Sequence, residues 1–277
     1  MRCETLHLKT VFPDLGVDGR DPFLHLYLPH NLEEMHREHQ KRPCLLICPG
    51  GAYRGISQRE AEPIGLHFLF QGFNVFVLSY STAPHCFPAQ LREVAAVMEL
   101  IHQNADSWNC DPQRVALMGF SAGGHLAAHY STSYDCEQVR QMFPDSHPVQ
   151  ACVLGYPVIT ADPDFWHKGS FVNLTGHDPV TEEDRDLFSL ERRVTKDTPP
   201  TFLWHTAEDA GVPVENSMRY AAALSACKVP FELHVYPYGA HGRATADEQT
   251  CNNLDEKNFH AHAWIEAAQK WLKLMLG

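Results

Sequence analysis

The chain has no apolar stretch long enough to cross a bilayer. Its uninterrupted apolar runs, such as those at residues 44–48 and 75–78 of 277, fall far short of the roughly 20 residues a spanning helix needs. The first residues, Met1-Arg2-Cys3-Glu4-Thr5-Leu6-His7, lack the apolar core of a secretory signal. There is no internal repeat and no low-complexity tract, so solenoids and disordered linkers are not indicated. Positive charge is scarce. Against 34 Asp+Glu stand 22 Lys+Arg, a formal net charge of -12, which argues against nucleic acid or an anionic membrane as the main partner. The 18 histidines temper that balance, because many would be charged near pH 6. Paired cysteines are also missing. The nine cysteines are odd in number and follow no spacing pattern, which suits reduced thiols in a cytoplasmic protein. Cys44 and Cys48 lie four apart in one predicted strand and match no zinc motif.

What is present is ordinary globular composition, 44% hydrophobic and 20% charged, and enough chain for a full core. Residues 4–10 and 23–28 alternate apolar and polar side chains, so both read as half-exposed antiparallel strands. From residue 43 the pattern changes to short continuous apolar runs at 45–48, 74–78, 114–118, 151–154, 201–204 and 231–235. Such runs are expected of strands covered on both faces. Helical spacing appears between them. Leu91, Val94, Ala95, Met98 and Ile101 share one face. A segment from Pro213, placed in the first turn, to Cys227 carries Met218, Ala221 and Leu224. A terminal helix at about 259–275 buries Trp264, Ala268, Trp271 or Leu272, and Met275. The pattern predicts one α/β domain over 1–277, with eight strands in a mostly parallel sheet and helices on both faces. Residues 160–199 interrupt the rhythm and read as an insertion or cap near the site.

The sharpest local pattern is Gly119-Phe120-Ser121-Ala122-Gly123-Gly124, between the strand Val115-Ala116-Leu117-Met118 and the helix formers His125-Leu126-Ala127-Ala128. A serine on a tight strand-to-helix turn is a nucleophile candidate. Small residues at 119 and 123 let strand and helix pass closely, and the helix N-terminus offers an N–H and positive dipole to a developing oxyanion. A serine hydroxyl needs a base, and the base needs an orienting acid. Asp209 follows the run at 201–204 and is the candidate acid, with Glu208 as competitor. His241 lies in Pro237-Tyr238-Gly239-Ala240-His241-Gly242, just after the last strand, and is the candidate base. His260 and His262 are the fallback. Pro49-Gly50-Gly51-Ala52-Tyr53 follows the third strand. Its backbone at Gly51 and Ala52, with the N–H of Ala122, is the candidate oxyanion hole.

These elements resemble the α/β-hydrolase superfamily, and within it the esterase/lipase group that includes bacterial carbohydrate acetyl esterases and xylan-esterase-like hydrolases. The resemblance rests on Cys48-Pro49-Gly50-Gly51-Ala52-Tyr53, on residues 119–127, on Gly155-Tyr156-Pro157-Val158-Ile159, on Asp209 with Val212-Pro213, and on Gly239-Ala240-His241-Gly242. Together they span about residues 43–242. The group usually has His-Pro-Gly-Gly-Gly, where this chain has Cys48 and Ala52 at the first and last positions. The resemblance implies the α/β-hydrolase fold and acyl transfer to water, with no metal and no organic cofactor.

Other residues have plainer readings. His125 and His129 share an i, i+4 face, but Leu126 stands where a zinc protease needs Glu, so both are expected to pack near the turn. Asp162, Asp164 and His167 read as a solvated loop rather than a ligand set. Tyr53 and Trp166 are candidate surfaces for stacking on a sugar ring, with simple packing as the alternative. The insertion lacks a long amphipathic helix, which disfavours a lipase lid. The expectation is a serine esterase acting on short-chain, acetyl, esters of small carbohydrates. The alternatives are an amidase, arylformamidase-like or peptidase-like, and a non-catalytic ligand-binding relative. The expected partner is a small-molecule ester, with self-association as a homo-oligomer left open.

Overall fold

A computed structural model of the protein describes residues 1–15, 21–251 and 259–277. One sheet is built from β1 Arg2–His7, β2 Phe23–Leu28, β3 Arg42–Cys48, β4 Asn74–Ser79, β5 Cys110–Phe120, β6 Ala151–Gly155, β7 Thr201–Thr206 and β8 Phe231–Tyr236. The spatial order is β1-β2-β4-β3-β5-β6-β7-β8. β1 and β2 pair antiparallel, as do β2 and β4, and every other neighbouring pair is parallel. The helices are α1 Leu8–Val11, α2 Glu62–Leu69, α3 Ala89–Gln103, α4 Ser121–Ser133, α5 Glu137–Arg140, α6 Lys168–Thr175, α7 Glu182–Phe188, α8 Glu215–Ala226 and α9 Ala263–Leu276.

The continuous apolar runs divide between two cores because successive strand side chains point to opposite faces. Leu46, Cys48, Phe76 and Leu78 meet Leu91 and Met98 of α3, Leu126 of α4 and Leu224 of α8. Their neighbours Leu45, Ile47, Val75 and Val77 meet Ile64 and Phe68 of α2 and Trp264 and Leu272 of α9. Each fully buried Leu or Ile contributes about 1.5–3 kcal/mol over leaving it exposed. Parallel strands covered on both faces bring their carboxyl ends to one rim, where the loops can gather side chains.

Four details depart from expectation. The alternation predicts a strand over 4–10, but β1 stops at His7 and buried Leu8 opens α1. β8 is expected to be covered on both faces, yet it is the sheet's edge strand, and Phe231 and Val235 are each 39% exposed. Pro213 is expected in the first turn of its helix, but α8 begins at Glu215 after an N-cap at Val214. Met218 is expected on the buried face, but it is 48% exposed. The buried stripe is Ser217, Tyr220, Ala221 and Leu224, the i, i+3, i+4, i+7 face, one position away from Met218.

The segment 160–199 carries α6 and α7, with Phe171, Leu174, Phe188 and Leu190 buried in the first core. α7 begins with a capping box between Thr181 and Asp184. Asn173 of α6 donates from Nδ2 to the Ala52 carbonyl at 2.8 Å. That bond ties the segment to the turn after β3.

Candidate active site

Ser121 stands at the junction of β5 and α4 with φ +52°, in the left-handed region. Holding a non-glycine residue there costs about 1–3 kcal/mol and lifts the side chain off the strand end. The glycines on either side are required by contact. A Cβ at Gly119 would lie 2.1 Å from the Gly123 carbonyl oxygen, and one at Gly123 would lie 2.1 Å from that of Cys48. The first N–H groups of α4, including that of Ala122, have no partner within the helix.

Ser121 Oγ lies 2.8 Å from His241 Nε2. His241 Nδ1 lies 2.7 Å from Asp209 Oδ2. A carboxylate accepts, so the imidazole proton sits on Nδ1 and leaves Nε2 free to accept from the serine. The other oxygen, Asp209 Oδ1, accepts the N–H groups of Gly211 at 2.9 Å and Val212 at 2.8 Å. Burial alone would raise the pKa of Asp209. Hydrogen bonds from His205 and His241, the charge of His241 and the Val212 N–H outweigh it and hold the carboxyl well below the usual range. Glu208, the competing acid, is exposed and its Oε2 accepts from the Gly239 N–H at 3.4 Å. His262 donates from Nδ1 to the Thr245 carbonyl at 2.7 Å, and His260 packs on Tyr236, so neither fallback histidine faces the serine.

The turn after β3 has φ +130° at Gly51 and +56° at Ala52. Its carbonyls are engaged. Those of Gly50 and Gly51 accept from Ser57, Arg54 and Gly55, and that of Ala52 accepts from Asn173. Among the described residues the N–H groups of Gly51 and Ala52 have no partner, and both residues line the cleft with Ser121. The cleft measures about 220 Å³ and is also lined by Ser57, Arg59, Glu60, His167, His241 and Gly242.

The pattern of residues along the chain does not reveal four supporting groups. Glu60 is buried. Its Oε2 accepts the Gly50 N–H at 2.7 Å, and its Oε1 accepts the Tyr156 hydroxyl at 2.7 Å. The Tyr156 and His241 rings meet edge to face with their centroids 5.1 Å apart, so one carboxyl group braces both the turn after β3 and, through Tyr156, His241. His205 Nε2 donates to the Val212 carbonyl at 2.9 Å and lies 3.4 Å from Asp209 Oδ2. His167 is half-buried in the cleft, not in a solvated loop. Tyr156 stands in the Gly-Tyr-Pro strand end and His205 at the end of β7, and those positions were the available signal.

Of the two expected stacking surfaces, Tyr53 is closed off, and Trp166 is half-buried and does not line the cleft. Tyr53 is 1% exposed. Its ring packs on Tyr80 and His125, and its hydroxyl lies 2.9 Å from His125 Nδ1, so no face is open to a sugar. Trp166 lies against Phe171 beside the first core, and its neighbour His167 lines the cleft instead. His125 and His129 are buried beneath the turn, with His125 Nε2 donating to the Phe188 carbonyl at 3.1 Å. Among the described residues no group of three or more His, Cys, Asp or Glu side chains could hold a metal ion. No described helix is long and apolar enough to cross a membrane.

A model of the BD-FAE family matches residues 24–224. Endo-1,4-beta-xylanase B of Butyrivibrio fibrisolvens is 35% identical over 231 residues, which cover 80% of this chain and 36% of that protein. The acetylxylan esterase of Xylanibacter ruminicola is 31% identical over 198 residues, 70% of this chain and 39% of that one. The chain therefore spans well under half the length of either curated relative. Among solved structures, the acetyl ester-xyloside bifunctional hydrolase from Caldicellulosiruptor lactoaceticus superposes with a TM-score of 0.83 at 32% identity. That match covers 99% of this chain and 97% of that one.

Proposed function

Since the chain belongs to the BD-FAE family and has the α/β-hydrolase fold, we propose that it is a carboxylic ester hydrolase, a serine esterase that removes short acyl groups, acetyl first among them, from small carbohydrates. The observation that carries this reading is the unbroken contact chain from Ser121 Oγ through His241 to Asp209 at a cleft of about 220 Å³. That volume is below the usual range for ligand pockets, about 300–1,000 Å³, and suits an acetyl group better than a fatty acyl chain. The names of the xylan-related relatives point the same way.

In this mechanism Ser121 Oγ attacks the ester carbonyl carbon as its proton passes to His241 Nε2. The N–H groups of Gly51, Ala52 and Ala122 hold the oxyanion, and each such donor is worth about 2.7–4 kcal/mol to the transition state. Asp209 keeps the imidazole in the accepting tautomer and stabilises the imidazolium. Collapse of the tetrahedral intermediate breaks the bond to the alcohol oxygen, which takes the proton from His241. Water then attacks the acyl-enzyme by the same route in reverse, releasing the acid and restoring Ser121.

The test is a hydrolysis panel of acetyl, butyryl and octanoyl esters of sugar and aryl alcohols, run on wild type and Ser121→Ala. The expected result is a rate maximum at acetyl and a loss of about 10⁶-fold in kcat for the variant. A maximum at octanoyl removes the acetyl-sugar reading, and wild-type turnover by Ser121→Ala removes the nucleophile.

A further inference from the structure

An acetyl ester brings few oxygens to the cleft. Its carbonyl oxygen goes to the backbone donors at Gly51, Ala52 and Ala122, and its ester oxygen faces His241. Any other donor that opens on the cleft is then left to water or to an oxygen of the alcohol half. His167 is such a donor.

His167 is the N-cap of α6 and lines the cleft with Ser121 and His241. Its Nδ1 lies 3.2 Å from the Ser170 backbone nitrogen and 2.9 Å from Ser170 Oγ. A backbone N–H can only donate, so Nδ1 is an acceptor. Burial, and then the nearness of His241, lower the pKa of His167 and favour the neutral ring. A neutral imidazole that accepts at Nδ1 carries its proton on Nε2. That Nε2–H has no partner among the described residues and is not sealed in the interior, and it belongs to a ring that lines the cleft. Asn173 of the same helix donates to the Ala52 carbonyl, which ties α6, and with it His167, to the turn after β3. Ser57 and Arg59 continue a donor-bearing lining on the same cleft.

Resting on the esterase reading above, we infer that His167 is a specificity-determining residue: its Nε2–H donates to an oxygen of the alcohol half and selects acetyl esters of hydroxyl-rich alcohols over esters of apolar or aryl alcohols. A site built to meet an oxygen discriminates against the analogue that lacks it, because the donor is then left unpaired.

The experiment compares wild type, His167→Asn and His167→Phe on three substrates. These are a monoacetylated methyl pentoside, its deoxy analogue lacking the neighbouring hydroxyl, and an aryl acetate. Asn can still accept the Ser170 N–H and cap α6, but it is too short to present a donor to the cleft. The expected result is a loss of about tenfold or more in kcat/KM on the pentoside, mostly in KM, for both variants. The loss on the aryl acetate should be at least about fivefold smaller than on the pentoside, and unchanged circular dichroism spectra show that the variants are folded. The wild-type preference for the pentoside over its deoxy analogue should collapse in His167→Asn. Equal losses on pentoside and aryl acetate, or no loss on either, overturn the inference. Activity retained by Ser121→Ala would instead overturn the triad, so the two failures are distinguishable.

Discussion

Acid should destabilise this protein well before its carboxylates titrate, and a main cause is a pair of fully buried histidines under the Ser121 turn. His125 and His129 sit one helical turn apart in α4, and both are buried. Burial lowers the pKa of His125 from 6.5 to about 4, against an opposing hydrogen bond to the Phe188 carbonyl. Burial, with the charges of His125 and Arg193, lowers that of His129 to about 3. In the unfolded chain both imidazoles titrate near about 6.5. Above that pH neither state holds the protons, and stability is independent of the pair. Below it the unfolded chain binds protons first, so stability falls as pH falls, until the folded values are reached. The slope is about 1.4 kcal/mol per pH unit for each histidine. Between pH 7 and pH 5 each therefore costs about 2 kcal/mol and the pair about 4, a large share of a typical total of about 5–15 kcal/mol. His129→Phe keeps a ring against Phe87 and Phe188 and removes one titrating group. Urea unfolding at pH 7, 6 and 5 should show the variant losing about 2 kcal/mol less than wild type over that range. Parallel pH slopes for the two proteins would refute the reasoning. The site is tied to the same equilibrium, because a protonated His125 can no longer accept the Tyr53 hydroxyl that anchors the oxyanion turn.

Two further substitutions test the site's supports. Glu60→Gln turns an amide NH₂ towards either the Gly50 N–H or the Tyr156 hydroxyl, leaving one buried donor without an acceptor at about 1–3 kcal/mol. The melting temperature should drop, and kcat should fall about 10- to 100-fold with KM little changed, because turn and base both shift. An unchanged kcat would show that Glu60 braces neither. Asp209→Asn can still accept from Gly211 and Val212, but an NH₂ facing His241 forces the wrong tautomer. The expected loss in kcat is about 10⁴-fold, and wild-type kcat in the variant would remove Asp209 from the triad.

What could be read along the chain was whatever local position decides. β3 to β7 show as short apolar runs because both of their faces are covered, whereas the edge exposure of β8 depends on what fails to pair with it. Ser121, Asp209 and His241 each stand just beyond a strand of a parallel sheet, so position along the chain already places them on one rim. Even the choice between Glu208 and Asp209 is local. The Gly211 and Val212 N–H groups draw the Asp209 carboxyl inward, and Glu208 is left facing solvent. Tyr53 shows where this reasoning stops. An aromatic beside a glycine turn looks like a surface for substrate, but φ +54° accompanies a side chain packed into the core against His125, 72 residues away. Glu60 is harder still, since its partner Tyr156 is 96 residues away and neither segment carries a periodic signal. His167 belongs to the same class. Its segment has no strand or long helix to give it a direction, and its place in the cleft depends on how α6 docks, through buried Phe171 and Leu174 and the Asn173 bond to the Ala52 carbonyl. The proposed reacting groups are thus set by where strands end, and the groups around them are set by contacts that only the folded chain makes.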